Sequence, residues 1–132
     1  MMRCGVILAL LYAVCLVGCD PSRRIEMKNY TNDTAEVVWK AKTDSIGFNP
    51  FNISNSKELR FVIPPHRNSA VRLSFGIGKW SPAEVEKIIH RLEYFQLTLP
   101  SQKLRIDSLA ELRDYLLARR KSGSSIIEIA IR

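Results

Sequence analysis

Between Arg3 and Asp20 the chain carries no charged residue. The apolar stretch at 6–17 is about a dozen residues long, short of the roughly 20 that a membrane-spanning helix needs. An uncharged run of this length behind a single arginine has the pattern of an export leader that is cut away. That reading constrains everything downstream. Residues 1–18 take no part in the fold, and one domain must be built from the remainder, outside the reducing cytosol.

The run ends in Leu16-Val17-Gly18-Cys19 and is followed at once by polar Asp20-Pro21-Ser22-Arg23-Arg24. This tetrapeptide resembles the lipobox of bacterial lipoproteins, with aliphatic positions, a small residue and then an obligatory cysteine. Only a thiol can form the thioether to diacylglycerol, and a small residue before it lets the peptidase reach the bond. The resemblance implies cleavage before Cys19, attachment of diacylglycerol and palmitate-type chains to it, and a periplasm-facing protein held on a membrane by lipid. Cys4 and Cys15 leave with the leader, so an acylated Cys19 leaves neither a disulfide nor a free thiol. A buried methylene contributes about 0.8 kcal/mol and one chain alone holds only weakly, whereas two or three hold firmly. The expected organisation is a cleaved leader at 1–18, a lipidated tether at 19–23 and a single envelope domain at 24–132.

The formal net charge is +7. Such a balance raises nucleic acid as a partner. Export and the scatter of Lys and Arg along the chain argue for no nucleic acid, and for phospholipid headgroups, an envelope polymer or an acidic protein face instead. Arg23 and Arg24 are expected within a Debye length, about 8 Å at physiological salt, of anionic lipid.

Alternation defines the rest. Ile25 and Met27 alternate with Glu26 and Lys28; Ala35, Val37, Trp39 and Ala41 alternate with Glu36, Lys40 and Lys42. The turn chemistry of Thr31-Asn32-Asp33-Thr34 between them predicts a hairpin of 24–30 with 35–42. Leu59, Phe61 and Ile63, then Val71, Leu73, Phe75 and Ile77, predict a second hairpin across Pro64-Pro65. Phe95, Leu97 and Leu99 lead through Pro100-Ser101-Gln102 to Leu104 and Ile106, and Ile127, Ile129 and Ile131 predict an inner strand at the end of the chain. Ser81 with Pro82 and Glu84 opens a helix expected at about 81–92, with Val85, Ile88, Ile89 and Leu92 on one face and His90 on the wet side. Ser108 with Glu111 opens a second at about 108–121, with Arg119, Arg120 and Lys121 in its last turn and Gly123 as the stop. The expected fold class is α+β: an antiparallel sheet or immunoglobulin-like sandwich of about seven strands with two helices. The layout of the first half is similar to immunoglobulin-like sandwiches of small bacterial lipoproteins, a resemblance that carries no functional motif.

The residues offer little chemistry. His66 and His90 are far apart in sequence, and no cysteine remains to complete a metal-ligand set. Gly76-Ile77-Gly78-Lys79 lacks the second half of either glycine-rich phosphate fingerprint and reads as a strand exit. Asn29, Asn32 and Asn52 stand in Asn-x-Ser/Thr triplets but read as turn residues. No cofactor, no metal and no catalytic set is expected. The segment 44–57 is an irregular connection holding Ile46, Phe48, Phe51 and Ile53, and Phe48 and Phe51 are the candidate binding residues, or else a cover on the core. The expected function is a non-catalytic, lipid-anchored binding or assembly module with an envelope protein or polymer as partner. An inhibitor or immunity lipoprotein and a small envelope hydrolase are the alternatives.

Overall fold

Ile25 and Met27 meet Val37 and Trp39 across one shared interior, but from two different sheets. The computed structural model describes residues 21–42, 58–65, 70–121, 123 and 125–132. Cys19, Asn52, His66 and the expected loop at 44–57 with Phe48 and Phe51 lie outside the described residues. The elements run β1 (Ser22–Asn29), β2 (Ala35–Ala41), β3 (Glu58–Ile63), β4 (Val71–Ile77), α1 (Pro82–Ile89), β5 (Leu92–Leu99), β6 (Gln102–Ile106), α2 (Leu109–Ala118) and β7 (Ile126–Ile131). Among the described residues the fold is an α+β sandwich-like arrangement of seven strands and two helices, as the patterning predicts.

One sheet has the order β4-β1-β7 and the other β3-β2-β5-β6. Neither of the first two expected hairpins forms. β1 pairs antiparallel with β4, Ile25 opposite Leu73, while β2 pairs with β3 and β5. β1 and β2 therefore lie in different sheets, as do β3 and β4. Alternation tells which face of a strand is apolar but not which strand lies beside it. Crossing lets two apolar faces close on each other, which a hairpin within one sheet cannot do. The expected turn at Pro100-Ser101 does form a hairpin, with Leu99 opposite Gln102.

β7 also departs from expectation. It lies at an edge, not inside, and pairs parallel with β1, Ile25 opposite Ile127, so that sheet is mixed rather than antiparallel. Its outer edge is covered by the chain leaving α2. Arg120 lies opposite Ile127, Lys121 N–H donates to the Ile126 carbonyl at 2.8 Å, and Glu128 N–H donates to the Arg119 carbonyl at 3.1 Å. Residues 119–121 are thus not the last turn of a helix, which stops at Ala118. Covering the edge satisfies ladder groups that would otherwise be open to another strand.

Both helices occupy connections between the sheets: α1 leads from β4 to β5 and α2 from β6 to β7. Ser81 and Ser108 cap them, each hydroxyl accepting from the N–H three residues on, at 3.2 and 3.4 Å. Val85, Ile88, Ile89, Leu112 and Leu116 enter the core. Leu92 is buried as expected, but it opens β5 and not the end of α1.

The links fix which residues share an end. Asn29 Nδ2 donates to the carbonyls of Asp33 at 2.8 Å and Ile63 at 3.0 Å, holding the finish of β1 to the finish of β3. β2 starts there and runs back, and Lys42 N–H meets the Arg91 carbonyl at 2.9 Å. Ser22, Ile77, Lys42 and Arg91 consequently gather at the end where the chain enters, the tether end. Asn29, Val62 and Ile63 gather at the far end.

Candidate functional site

The tether end takes its shape from an extra residue in β4. Ser22 lies opposite Ile77 while Arg24 lies opposite Ser74, so β4 carries a bulge at 75–76. Gly76 has φ +96°, which a side chain rarely adopts. The bulge breaks the alternation and turns Ile77 outward to 70 % exposure, although the sequence pattern aligns it with Val71, Leu73 and Phe75. Gly78, at φ +119°, donates its N–H to the Pro21 carbonyl at 3.0 Å. The two glycines therefore do form a strand exit, and that exit grips the incoming chain.

Arg23 fills the corner they leave. It shares strand parity with Ile25 and Met27, which directs it beneath the core. Nη2 donates to the Phe75 carbonyl at 2.8 Å and stands 3.1 Å from Glu84 Oε2 in the first turn of α1. A Cβ on Gly76 or Gly78 would lie 3.8 or 3.9 Å from its guanidinium nitrogens, so the group rests against both glycines in ordinary contact. Its Cζ is 5.2 Å from the centroid of Trp80. Trp80 is buried: Nε1 donates to the Arg24 carbonyl at 3.0 Å, its ring meets Phe75 edge-on at 5.3 Å, and its carbonyl accepts from Arg120 Nη1 at 3.1 Å. The positive charges that sequence alone directs toward headgroups are matched inside the domain, since Arg24 Nε bonds Glu26 at 2.7 Å.

A second cluster lies on the outer face of the same sheet. The parallel register sets Glu26 beside Glu128, an unfavourable neighbour pair on its own. Cations resolve it. Glu26 meets Arg24, Arg72 at 3.2 Å and Lys28 at 3.8 Å; Glu128 meets Lys121, Lys28 at 3.5 Å and the Tyr30 hydroxyl at 3.4 Å. Burial works to raise the Glu26 pKa. The Arg24 hydrogen bond and the fields of Arg24, Lys28 and Arg72 outweigh it, so the carboxyl ends below its ordinary value. The Lys121 hydrogen bond lowers Glu128 against burial in the same way. Carboxylates held ionised have no proton to donate at neutral pH, and this cluster reads as sheet stabilisation.

The remaining titratable residues are dispersed. His90 is exposed, with Nε2 3.3 Å from Glu86 Oε2. Glu86 also takes Arg113 at 3.1 Å, and Arg113 reaches Asp114 at 3.4 Å. Among the described residues no group of three or more His, Cys, Asp or Glu could hold a metal ion, and no helix is long and apolar enough to cross a membrane. Sequence reasoning missed the Arg23 corner. Its available signal was the parity of Arg23 with Ile25, together with paired glycines just beyond a strand. Comparison with protein-family models, curated proteins and solved structures finds no match to this chain.

Proposed function

We propose that the chain is an exported lipoprotein, anchored by acylated Cys19 in the cell envelope, whose sandwich is a non-catalytic binding or assembly module. The observation that carries this is the uncharged leader closing on Leu16-Val17-Gly18-Cys19, with an ordered strand beginning at Ser22. An export signal placed so close to a folded domain fits an anchor better than a span. The non-catalytic part is supported by what the buried charges do: Glu26 and Glu128 are committed to cations, and Arg23 to Phe75, Glu84 and Trp80. The partner is an envelope protein or polymer.

Intact mass of the membrane-extracted protein tests the anchor. Loss of residues 1–18 with added acyl mass is expected, and Cys19→Ala should abolish both. A full-length precursor, or a soluble product cut elsewhere, overturns the reading. In-cell crosslinking of the tagged lipoprotein then identifies the partner.

A further inference from the structure

We infer that the tether end of the sandwich lies flat on the bilayer, with Ile77 in the headgroup interface and Lys79 on the phosphates of anionic lipid. The inference rests on the lipidation of Cys19 proposed above and adds an orientation to it.

Reach is the first argument. The Pro21 carbonyl is held by Gly78 N–H, and Ser22 is paired with Ile77. Only Asp20 separates Cys19 from that fixed backbone. A residue spans at most about 3.6 Å, so the Cα of Cys19 stays within about 7 Å of that of Pro21. A lipid attached there cannot let the domain stand away from the membrane.

What the end presents is the second argument. A single exposed aliphatic residue is ordinary on a protein surface. Ile77 differs in being turned out by a bulge and in standing opposite Ser22, three residues after the anchor. The charges agree. Lys42, Lys79 and Arg91 are exposed at this end and have no carboxylate partner among the described residues. Against them stand Glu93 and Glu111, exposed and likewise without a cation partner among the described residues, and Asp20 beside the anchor, whereas Glu84 and Asp107 are paired with Arg23 and Arg105. The cation that matters is Lys79, exposed and two residues beyond Ile77, within the distance over which an anionic surface attracts cations.

The mature chain offers a direct test, because cleavage and acylation leave it without a free thiol. Ile77→Cys and, at the far end, Val62→Cys each supply a single site for an environment-sensitive fluorophore. Val62 is 63 % exposed and serves as the reference. The mature lipoprotein is extracted, labelled and reconstituted in vesicles of phosphatidylethanolamine and phosphatidylglycerol. We expect the label at 77 to shift to the blue and to lose quenching by neutral acrylamide several-fold relative to the label at 62. Exchanging phosphatidylglycerol for phosphatidylcholine, or adding Lys79→Gln, should restore quenching at 77. Equal quenching at the two ends, on protein whose intact mass includes the acyl chains, overturns the orientation and leaves the anchor standing. Protein without acyl mass removes both. Protection at 77 that ignores lipid charge overturns the role given to Lys79.

Discussion

The guanidinium of Arg23 and the carboxylate of Glu84 stand 3.1 Å apart, joining the entry of β1 to the first turn of α1. Glu84 also benefits from the helix N-terminus and is met by Lys87 at 3.1 Å. Arg23→Ala removes this pair and the bond to the Phe75 carbonyl in a largely buried corner. Unfolding in urea should show a loss of about 2–3 kcal/mol. Glu84→Gln keeps the packing and should cost about 1 kcal/mol or less. Equal effects would mean that the ion pair, and not the corner as a whole, carries the stability.

Asn29 makes the complementary tie at the far end. Its amide donates to two carbonyls, and its Oδ1 accepts from the Thr31 N–H at 3.0 Å and the Thr31 hydroxyl at 2.7 Å. Asn29→Ala should destabilise by about 2–3 kcal/mol. Asn29→Asp, although nearly isosteric, cannot donate to Asp33 and Ile63 and should be no better. An unchanged midpoint for the aspartate variant would show that the donated bonds are dispensable.

These two residues also show where the sequence was legible and where it was not. Capping serines, strand parity and the Pro100-Ser101 turn are local signals, and each produced the expected element. Strand neighbours are set by contacts distant in sequence, and alternation cannot distinguish a hairpin from a crossing between sheets. Asn29 reads as a turn residue because its tie to Ile63 has no local trace. Arg23 reads as a solvated tether because nothing nearby announces Phe75 or Glu84. Ile77 was misplaced for a related reason: a one-residue bulge at Gly76 reverses every later side chain. For Cys19, Phe48 and Phe51 the reading remains that of the sequence.

Acid should weaken the three-stranded sheet first. Glu26 and Glu128 have folded pKa values below their unfolded ones. Their contribution is therefore fully present above the unfolded value, about 4.3, and is lost as pH falls through the lowered folded values. Thermal midpoints should drop between about pH 5 and the acid limit. Glu26→Gln should lower stability at pH 7 and flatten that decline, while a parallel curve would place the acid sensitivity elsewhere.

Gly76→Ala must hold a side chain at a backbone angle that favours glycine, and should cost about 1–2 kcal/mol. Ile77→Ser, one position on, should change folding stability by no more than about 0.5 kcal/mol, because the side chain is turned out of the core. A larger loss at 77 than at 76 would contradict the outward turn of that residue.

The parallel pairing of β1 with β7 sets a schedule for the chain. As it emerges N-terminus first, β1 can find β4 once residue 77 is out, but its other neighbour arrives only with residues 126–131. Until then the first strand keeps one unsatisfied edge. The sheet cannot close around a half-made polypeptide, and so long-range pairing keeps the domain open until nearly all of it has been delivered.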